Sequence, residues 1–398
     1  MDITIFPRKL EGTIEAIPSK SQAHRLLICA AFSDRETSLI CPQTNRDIEA
    51  TANCLRALGA DIIRTEQGYL IHPVDQLPKT AVLPCAESGS TLRFLLPIAG
   101  ALGIDTVFWM EGRLPHRPLS PLWEEMERMG CVLTRPSENT LRCQGKLSSG
   151  TYEISGNVSS QYITGLLLAA PLMEQGCKIR IIGKLESAPY VTMTRRAMEL
   201  FGIHLSDLSV SEGQRYRSPG TVKVEGDWSN AAFFLTANTL GNNVAVTNLD
   251  PSSAQGDRAI CKLLQALDRP TVISASDIPD LVPILAIAAA ANHGGKFTDI
   301  QRLRLKESDR VETVIAMLKA LGIRASATDS ILTVNAGQFS GGIVDSANDH
   351  RIAMAAAIAA TIAGGPVTVL NAQCVNKSYP HFWEEYRNLG GQYELNLR

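Results

Sequence analysis

Six times along the chain a short polar cluster opens directly into an almost wholly apolar run, and that recurrence limits what the chain can fold into. Lys20, Ser21 and Arg25 open the run that ends at Phe32. Gly89-Ser90-Thr91-Leu92-Arg93 leads into FLLPIAGAL, Ser159-Ser160-Gln161 into YITGLLLAAPLM, and Asp227-Trp228-Ser229-Asn230 into AAFFLTANTL. Asp277-Ile278-Pro279-Asp280 leads into LVPILAIAAAA, and Asp349-His350-Arg351 into IAMAAAIAATIA. Runs of about 10–13 residues, apolar on every side, are too short to cross a bilayer and fit buried helices. The first N–H groups of a helix have no partner within it, and its dipole places partial positive charge there. Polar residues at that end cap the helix or bind an anion. One such end is ordinary capping; six, three of them carrying Arg, point to helix ends converging on an anionic ligand.

A second element alternates with the first. Residues 46–62, 121–133, 192–205, 257–267, 308–325 and 381–395 each read as an amphipathic helix, a turn and a β-like run. Gly59, Gly130, Gly202, Gly322 and Gly390 follow five of these helices, where a left-handed C-terminal cap is easiest for glycine. The remaining copy has Asp268 there and matches least well. Strand candidates include residues 106–110, 177–183, 244–249 and 366–372, all rich in β-branched side chains. A spacing of about 55–70 residues exceeds that of solenoid repeats, so each copy is a whole supersecondary unit. Six α/β units divide into two domains of three. With crossovers near Pro18 and Glu225, residues 1–18 and 225–398 form one domain and 19–224 the other. Helix ends facing across a cleft between the two would allow closure on a ligand.

A length of 398 residues leaves room for two or three domains, and a net charge of −2 gives no general nucleic-acid surface. The cations in the clusters are therefore local features. Nine scattered cysteines, with no CxxC pair, argue against a disulfide framework or a zinc site and fit free thiols in a reducing cytoplasm. The opening MDITIFPRKL lacks the apolar core of a leader, and no run reaches a membrane span. There is no GxxxxGK[ST] loop, no GxGxxG after a strand and no GxSxG elbow.

The remaining polar clusters carry chemistry as a set. Arg113 and Arg117 lie in a proline-stiffened loop, EGRLPHRPLSP, and RLRLKESDR holds Arg302, Arg304, Lys306, Glu307, Asp309 and Arg310. Ser187-Ala188-Pro189-Tyr190 precedes the third amphipathic helix, and Asn376-Lys377-Ser378-Tyr379-Pro380 the last. Taken singly these are solvated loop charges, a surface salt-bridge patch and a capping turn; Asp280 reads as a helix cap and His350 as a buried hydrogen-bonded histidine. Taken together, Lys20, Arg25, Arg117, Arg310, Arg351 and Lys377 supply cations for carboxylate and phosphate groups. Asp280 and Glu307 supply carboxylates for proton transfer.

The ordered set SKSQAHR, GSTLR, RLPHRPLSPL, GNVSSQY, SAPY, VEGDWSNA, DIPD, RLKESDR, NDHRIAMAA and NKSYP resembles the EPSP synthase family of enolpyruvyl transferases, over about residues 3–395. The resemblance implies an α/β fold of two domains, each of three βαβαββ repeats with buried helices and outward sheets, an inside-out α/β barrel. It implies transfer of the enolpyruvyl group of phosphoenolpyruvate to the 5-hydroxyl of shikimate 3-phosphate, with release of phosphate, in the shikimate pathway. The route is addition–elimination through a tetrahedral intermediate, with no metal and no organic cofactor. By motif, Lys20, Ser21, Arg25, Ser159, Ser160, Gln161, Ser187, Tyr190, Asp280 and Lys306 match the shikimate 3-phosphate site. Lys20, Gly89, Arg117, Gln161, Arg310, Arg351 and Lys377 match the phosphoenolpyruvate site. Asp280 matches the group that takes the hydroxyl proton, Glu307 the donor to the enol methylene, and Lys20 a catalytic cation touching both substrates. The implied protein is a cytoplasmic monomer whose partners are these two small molecules.

Three positions depart from the family pattern. Glu87 stands where many members have Asn, Trp228 replaces a usually small residue, and Arg302 lies at a variable position from which no contact is transferred. The sister transferase acting on UDP-N-acetylglucosamine is the nearest alternative. It carries Lys-Asn where this chain has Lys20-Ser21, and a cysteine in the loop matching 111–118, where this chain has none. A catalytically inert homologue would be expected to lack one of the cations or carboxylates, and none is missing.

Overall fold

The structure is a computed structural model that describes residues 1–396. All six apolar runs are helices: α1 (Lys20–Ala31), α3 (Gly89–Leu102), α5 (Ser160–Ala169), α7 (Trp228–Thr239), α9 (Val282–Ala291) and α11 (His350–Ala360). Between them lie the amphipathic helices: α2 (Arg46–Ala57), α4 (Leu122–Arg128), α6 (Ala188–Leu200), α8 (Ile260–Ala266), α10 (Arg310–Ala320) and α12 (Phe382–Asn388). The five glycines expected to stop amphipathic helices all take positive φ, from +76° at Gly202 to +112° at Gly130. Two helices differ from expectation. α6 begins at Ala188 rather than near residue 192, because Pro189 in its first turn needs no N–H partner. The helix expected from residue 257 opens as a 3-10 turn, Gly256–Ala259, before α8.

The chain divides into two compact units, Met1–Ile17 with Gly226–Arg398, and Pro18–Glu225. Each has its own apolar core, filled by α1, α3 and α5 in the Pro18–Glu225 unit and by α7, α9 and α11 in the other. A long apolar helix carries no solvent face, so it is stable only when neighbours surround it; Ile284–Ala290 and Ile352–Ala360 are each completely buried.

The sheets repeat as the helices do. Thr80–Ala86 pairs in parallel with Asp105–Met110, which pairs antiparallel with Thr140–Gly145, which pairs antiparallel with Cys131–Thr134. Thr271–Ser274, Gly295–Thr298, Ile331–Val334 and Ala325–Ala327 repeat that order. Parallel neighbours require a crossover, supplied here by the buried helix. Two further sheets reach the same order by borrowing a distant strand. Thr221–Lys223 joins Thr37–Ile40, and Asp2–Phe6 lies between Val367–Leu370 and Gln392–Asn396. Strands distant in sequence thus complete repeats that local sequence leaves open. Among the described residues the six sheets stay open and none closes into a barrel. Their strands alternate: Leu83 is buried, while Val82, Val272 and Ile343 face outward.

Candidate active site

Five of the six buried helices start with a Ser or Asp side chain that accepts a hydrogen bond from their own first turn. These caps are Ser19, Ser88, Ser159, Asp227 and Asp349. The exception is α9. Its N-cap position is Leu281, which makes no side-chain cap bond, and Asp280 does not serve as a cap. Instead, the Asp280 carboxylate accepts from Arg310 Nη1 at 2.5 Å and Arg351 Nη2 at 3.2 Å, with Lys306 Nζ at 3.7 Å.

Arg310 organises this cluster. Its side chain is fully buried. Nε donates to Asp349 Oδ2 at 2.8 Å, Nη2 to Glu307 Oε2 at 2.7 Å, and Nη1 to Asp280. A guanidinium offers donors in a fixed planar fork, which is why one side chain can hold three carboxylates. Asp349 also accepts from Ser308 Oγ at 3.0 Å and, through its cap, from Arg351 N at 3.0 Å. Lys377 Nζ donates to the carbonyl of Asn348, 2.8 Å away. Within the RLRLKESDR run, Arg304 forms a surface patch of the expected kind, pairing with Asp309 and Glu312.

Electrostatics follow from this packing. Burial alone would raise the Asp280 carboxyl; Arg351, Lys306 and Arg310 overcome that and hold it well below the usual carboxylate range. Burial lowers the Lys306 ammonium to about 8, with Arg310 and Arg302 pushing the same way and Asp280 opposing. Asp257, buried beside α7, is raised to about 7 by burial and by the Asp280 charge.

The Pro18–Glu225 unit holds a second cluster. Arg25 is buried: Nε donates to Thr194 Oγ1 at 2.9 Å, Nη2 to Thr164 Oγ1 at 3.3 Å and to the Tyr190 carbonyl at 3.1 Å, and Nη1 to the Ser21 carbonyl at 2.5 Å. Lys20 Nζ pairs with Asp47 at 2.9 Å. Ser187 is buried just ahead of α6 with φ +55° and makes no side-chain cap bond, although a capping turn was expected there. Ser160 is buried, and Ser159 Oγ accepts from Gln161 N. Gln161 spans to α3: its Nε2 donates to Ser90 Oγ at 3.0 Å, and its Oε1 accepts from Arg93 Nη1 at 3.0 Å. At Gly89 a Cβ would stand 2.5 Å from Arg93 Nη1 and 2.7 Å from Arg117 Nη1, so glycine lets both guanidinium groups close over the start of α3.

The expected residues thus form two groups, one on each unit. Asp280, Lys306, Glu307, Arg310, Arg351 and Lys377 lie on one; Lys20, Ser21, Arg25, Gly89, Arg117, Ser159, Ser160, Gln161, Ser187 and Tyr190 lie on the other. Asp349 and Arg93 stand in the helix-start clusters without a site role assigned from sequence, and Asp47 stands outside them; they hold Arg310, Gln161 and Lys20. Their only sequence signal was position, inside a quoted motif or at the head of α2. Glu87 lies against the loop that bears Arg117, its Oε2 2.4 Å from where a Gly112 Cβ would be. Trp228 is buried at the head of α7, its indole N–H donating to the Asp250 carbonyl at 3.1 Å. Among the described residues there is no group of three or more His, Cys, Asp or Glu side chains that could hold a metal ion. Nor is any described helix long and apolar enough to cross a membrane.

Comparison with known proteins bears on both family and fold. The profile of the family described as EPSP synthase (3-phosphoshikimate 1-carboxyvinyltransferase) matches residues 6–386. The 3-phosphoshikimate 1-carboxyvinyltransferases of Clostridium kluyveri and Clostridium acetobutylicum are each 37% identical, over 98% of this chain and 97% of theirs. A solved structure of EPSP synthase from Acinetobacter baumannii superposes with a TM-score of 0.80 at 22% identity, covering 99% of this chain and 100% of that one. Matched along nearly its whole length, this chain belongs to the EPSP synthase family.

Proposed function

We propose that this protein transfers the enolpyruvyl group of phosphoenolpyruvate to the 5-hydroxyl of shikimate 3-phosphate, yielding 5-enolpyruvylshikimate 3-phosphate and inorganic phosphate in the shikimate pathway. The observation that carries the reading is Asp280. It stands where a helix cap was expected, yet it is held by Arg310 and Arg351 with Lys306 alongside, and Glu307 sits on the same Arg310. Two carboxylates on one buried guanidinium suit paired proton transfers between anionic reactants.

Ser21, Arg25, Ser159, Ser160, Ser187 and Tyr190 bind shikimate 3-phosphate. Arg117, Arg310, Arg351 and Lys377 grip the phosphate and carboxylate of phosphoenolpyruvate, with the Gly89 backbone close to it. Lys20 and Gln161 touch both substrates. Each charge-assisted hydrogen bond contributes about 1.5–3 kcal/mol, so several are needed to hold two mutually repelling anions in reactive proximity. Glu307 protonates the enol methylene, making C2 electrophilic. The 5-hydroxyl adds to C2 while Asp280 takes its proton beside Lys306. Phosphate then leaves the tetrahedral adduct while a methyl proton returns to the Glu307 carboxylate, which restores the double bond. Before substrate arrives, Asp280 is too weak a base, because three cations hold it ionised. Substrate anions compete for Arg310 and Arg351, and as those cations turn to them the basicity of Asp280 rises. Because the two groups lie on different units, the reaction draws on residues of both. The protein works as a cytoplasmic monomer, where its eight buried thiols and exposed Cys261 stay reduced.

Turnover in deuterium oxide tests the acid and base assignments. Glu307→Gln is expected to abolish deuterium entry into the vinyl group, and Asp280→Asn to lower kcat by about 10²–10⁴-fold, the usual contribution of a positioned acid or base. Near-normal turnover in either variant would remove that residue's role.

A further inference from the structure

A chain of hydrogen bonds runs through the core of the Pro18–Glu225 unit, from α1 to the head of α3. His24 Nδ1 lies 2.7 Å from Thr51 Oγ1 on α2, and Thr51 Oγ1 lies 2.7 Å from Thr91 Oγ1 on α3. Thr91 Oγ1 donates to Ser88 Oγ at 2.7 Å, and Ser88 is the N-cap of α3, accepting also from Thr91 N at 3.2 Å. All four residues have no solvent exposure. The chain therefore connects the helix that carries Lys20, Ser21 and Arg25 to the cap immediately before Gly89.

Each hydroxyl has a single proton, so the direction of every link follows from one end. Ser88 Oγ already accepts twice. Thr91 spends its proton on Ser88, so Thr51 must donate to Thr91, and His24 Nδ1 must donate to Thr51. That fixes His24 as a neutral ring protonated on Nδ1. Its other nitrogen, Nε2, is buried with no hydrogen-bond partner. The opposite direction would need Ser88 to donate to Thr91 Oγ1, against the bond that runs from Thr91 to Ser88, and would leave the buried Nε2 as an N–H donor with no acceptor. A charged ring is disfavoured as well, since burial, Lys20 and Arg25 all lower its pKa well below the usual histidine value.

We infer that His24, Thr51, Thr91 and Ser88 form a proton-ordered relay that fixes the phosphoenolpyruvate-binding start of α3 to the shikimate 3-phosphate-binding start of α1, with His24 as a positioning residue. The inference rests on the substrate assignment above. The relay makes the two binding ends one body, so occupancy of the first orders the second. Coupling between sites of this kind usually amounts to a 5–150-fold change in affinity.

Thr51→Val keeps the volume and removes the hydroxyl; Thr51→Ser restores the hydroxyl. With the valine variant, KM for phosphoenolpyruvate at saturating shikimate 3-phosphate is expected to rise about tenfold. Its kcat and its calorimetric affinity for shikimate 3-phosphate alone should stay within about threefold, and the serine variant should return KM to the wild-type value. Equal losses in every parameter, or no change in KM, would overturn the relay. A second readout needs no variant: nitrogen-15 NMR of the wild-type protein should show His24 protonated on Nδ1 with a slowly exchanging ring proton. An Nε2–H ring would overturn the proposed order even if the valine variant failed to fold. Absence of wild-type turnover with the two substrates would refute the substrate assignment instead, leaving the tautomer measurement still decisive for the relay.

Discussion

Replacing Arg310 by methionine removes a cation shared by Asp280, Glu307 and Asp349 while keeping most of the side-chain volume. Truncating one partner of a buried ion pair costs about 3–5 kcal/mol, because the other partner remains desolvated. Here three carboxylates lose a partner. Asp349 has no exposure, but Asp280 and Glu307 keep 18% and 24%, so water recovers part of the loss. Asp280 also keeps Arg351 and Lys306. About 4 kcal/mol is therefore expected at pH 7, a thousandfold change in an opening equilibrium. The pH dependence carries a sign. In the wild-type protein Asp280 lies below its unfolded value of 3.8, so its contribution is present above about pH 4 and is lost as pH falls through the folded value. The variant has less of that contribution to lose, so the gap to wild type should narrow on acidification. Hydrogen exchange followed by peptide reads this directly: α10 and α11 should lose about a thousandfold of protection at pH 7, while α1, α3 and α5 serve as internal controls. A change under about 1 kcal/mol at pH 7, or a gap that widens toward pH 4, would refute this account of the buried cluster.

Three other outcomes are expected. Gly89→Ala would push against the Arg93 and Arg117 guanidinium groups, and KM for phosphoenolpyruvate should rise about tenfold or more with little change in KM for shikimate 3-phosphate. With Lys306 lowered to about 8, kcat/KM should fall tenfold per unit as pH rises above that value, and Lys306→Arg, which stays charged, should remove the alkaline limb from the pH–rate profile. Asp257 is raised from 3.8 to about 7, so the folded state binds the extra proton and stability falls as pH rises between those values. Asp257→Asn cannot ionise; its Tm relative to wild type should therefore increase from pH 5 to pH 8, as calorimetry would record.

Local chemistry made much of this legible. An apolar run with no polar face has to be interior, so all six buried helices could be read directly, and glycine after an amphipathic run marked its end. Where one local rule met another, reading was less secure. Ser187-Ala188-Pro189-Tyr190 reads in sequence as a capping turn ahead of the helix, yet α6 already begins at Ala188, since proline is well tolerated in a helix's first turn. The site was legible through its charges but not through their partners. Nothing near Arg310 in sequence marks Asp349, which is 39 residues away and meets it only in the fold. The same holds for Arg93 with Gln161 and for the hydroxyl chain from His24 to Ser88, whose residues read as ordinary helix-facing Thr and Ser. Strands borrowed across the chain, such as Thr221–Lys223 beside Thr37–Ile40, are equally silent, because each repeat's sequence stops short of its own sheet.

The most direct test of the central claim is a paired phosphate-release measurement. Phosphoenolpyruvate is supplied with shikimate 3-phosphate in one vessel and with UDP-N-acetylglucosamine in the other. Release only with shikimate 3-phosphate is the predicted result, and it would assign donor, acceptor and reaction together. Release only with the sugar nucleotide would contradict the reading of Ser159, Ser160, Ser187 and Tyr190 as a phosphate site, and release with neither would contradict the activity itself.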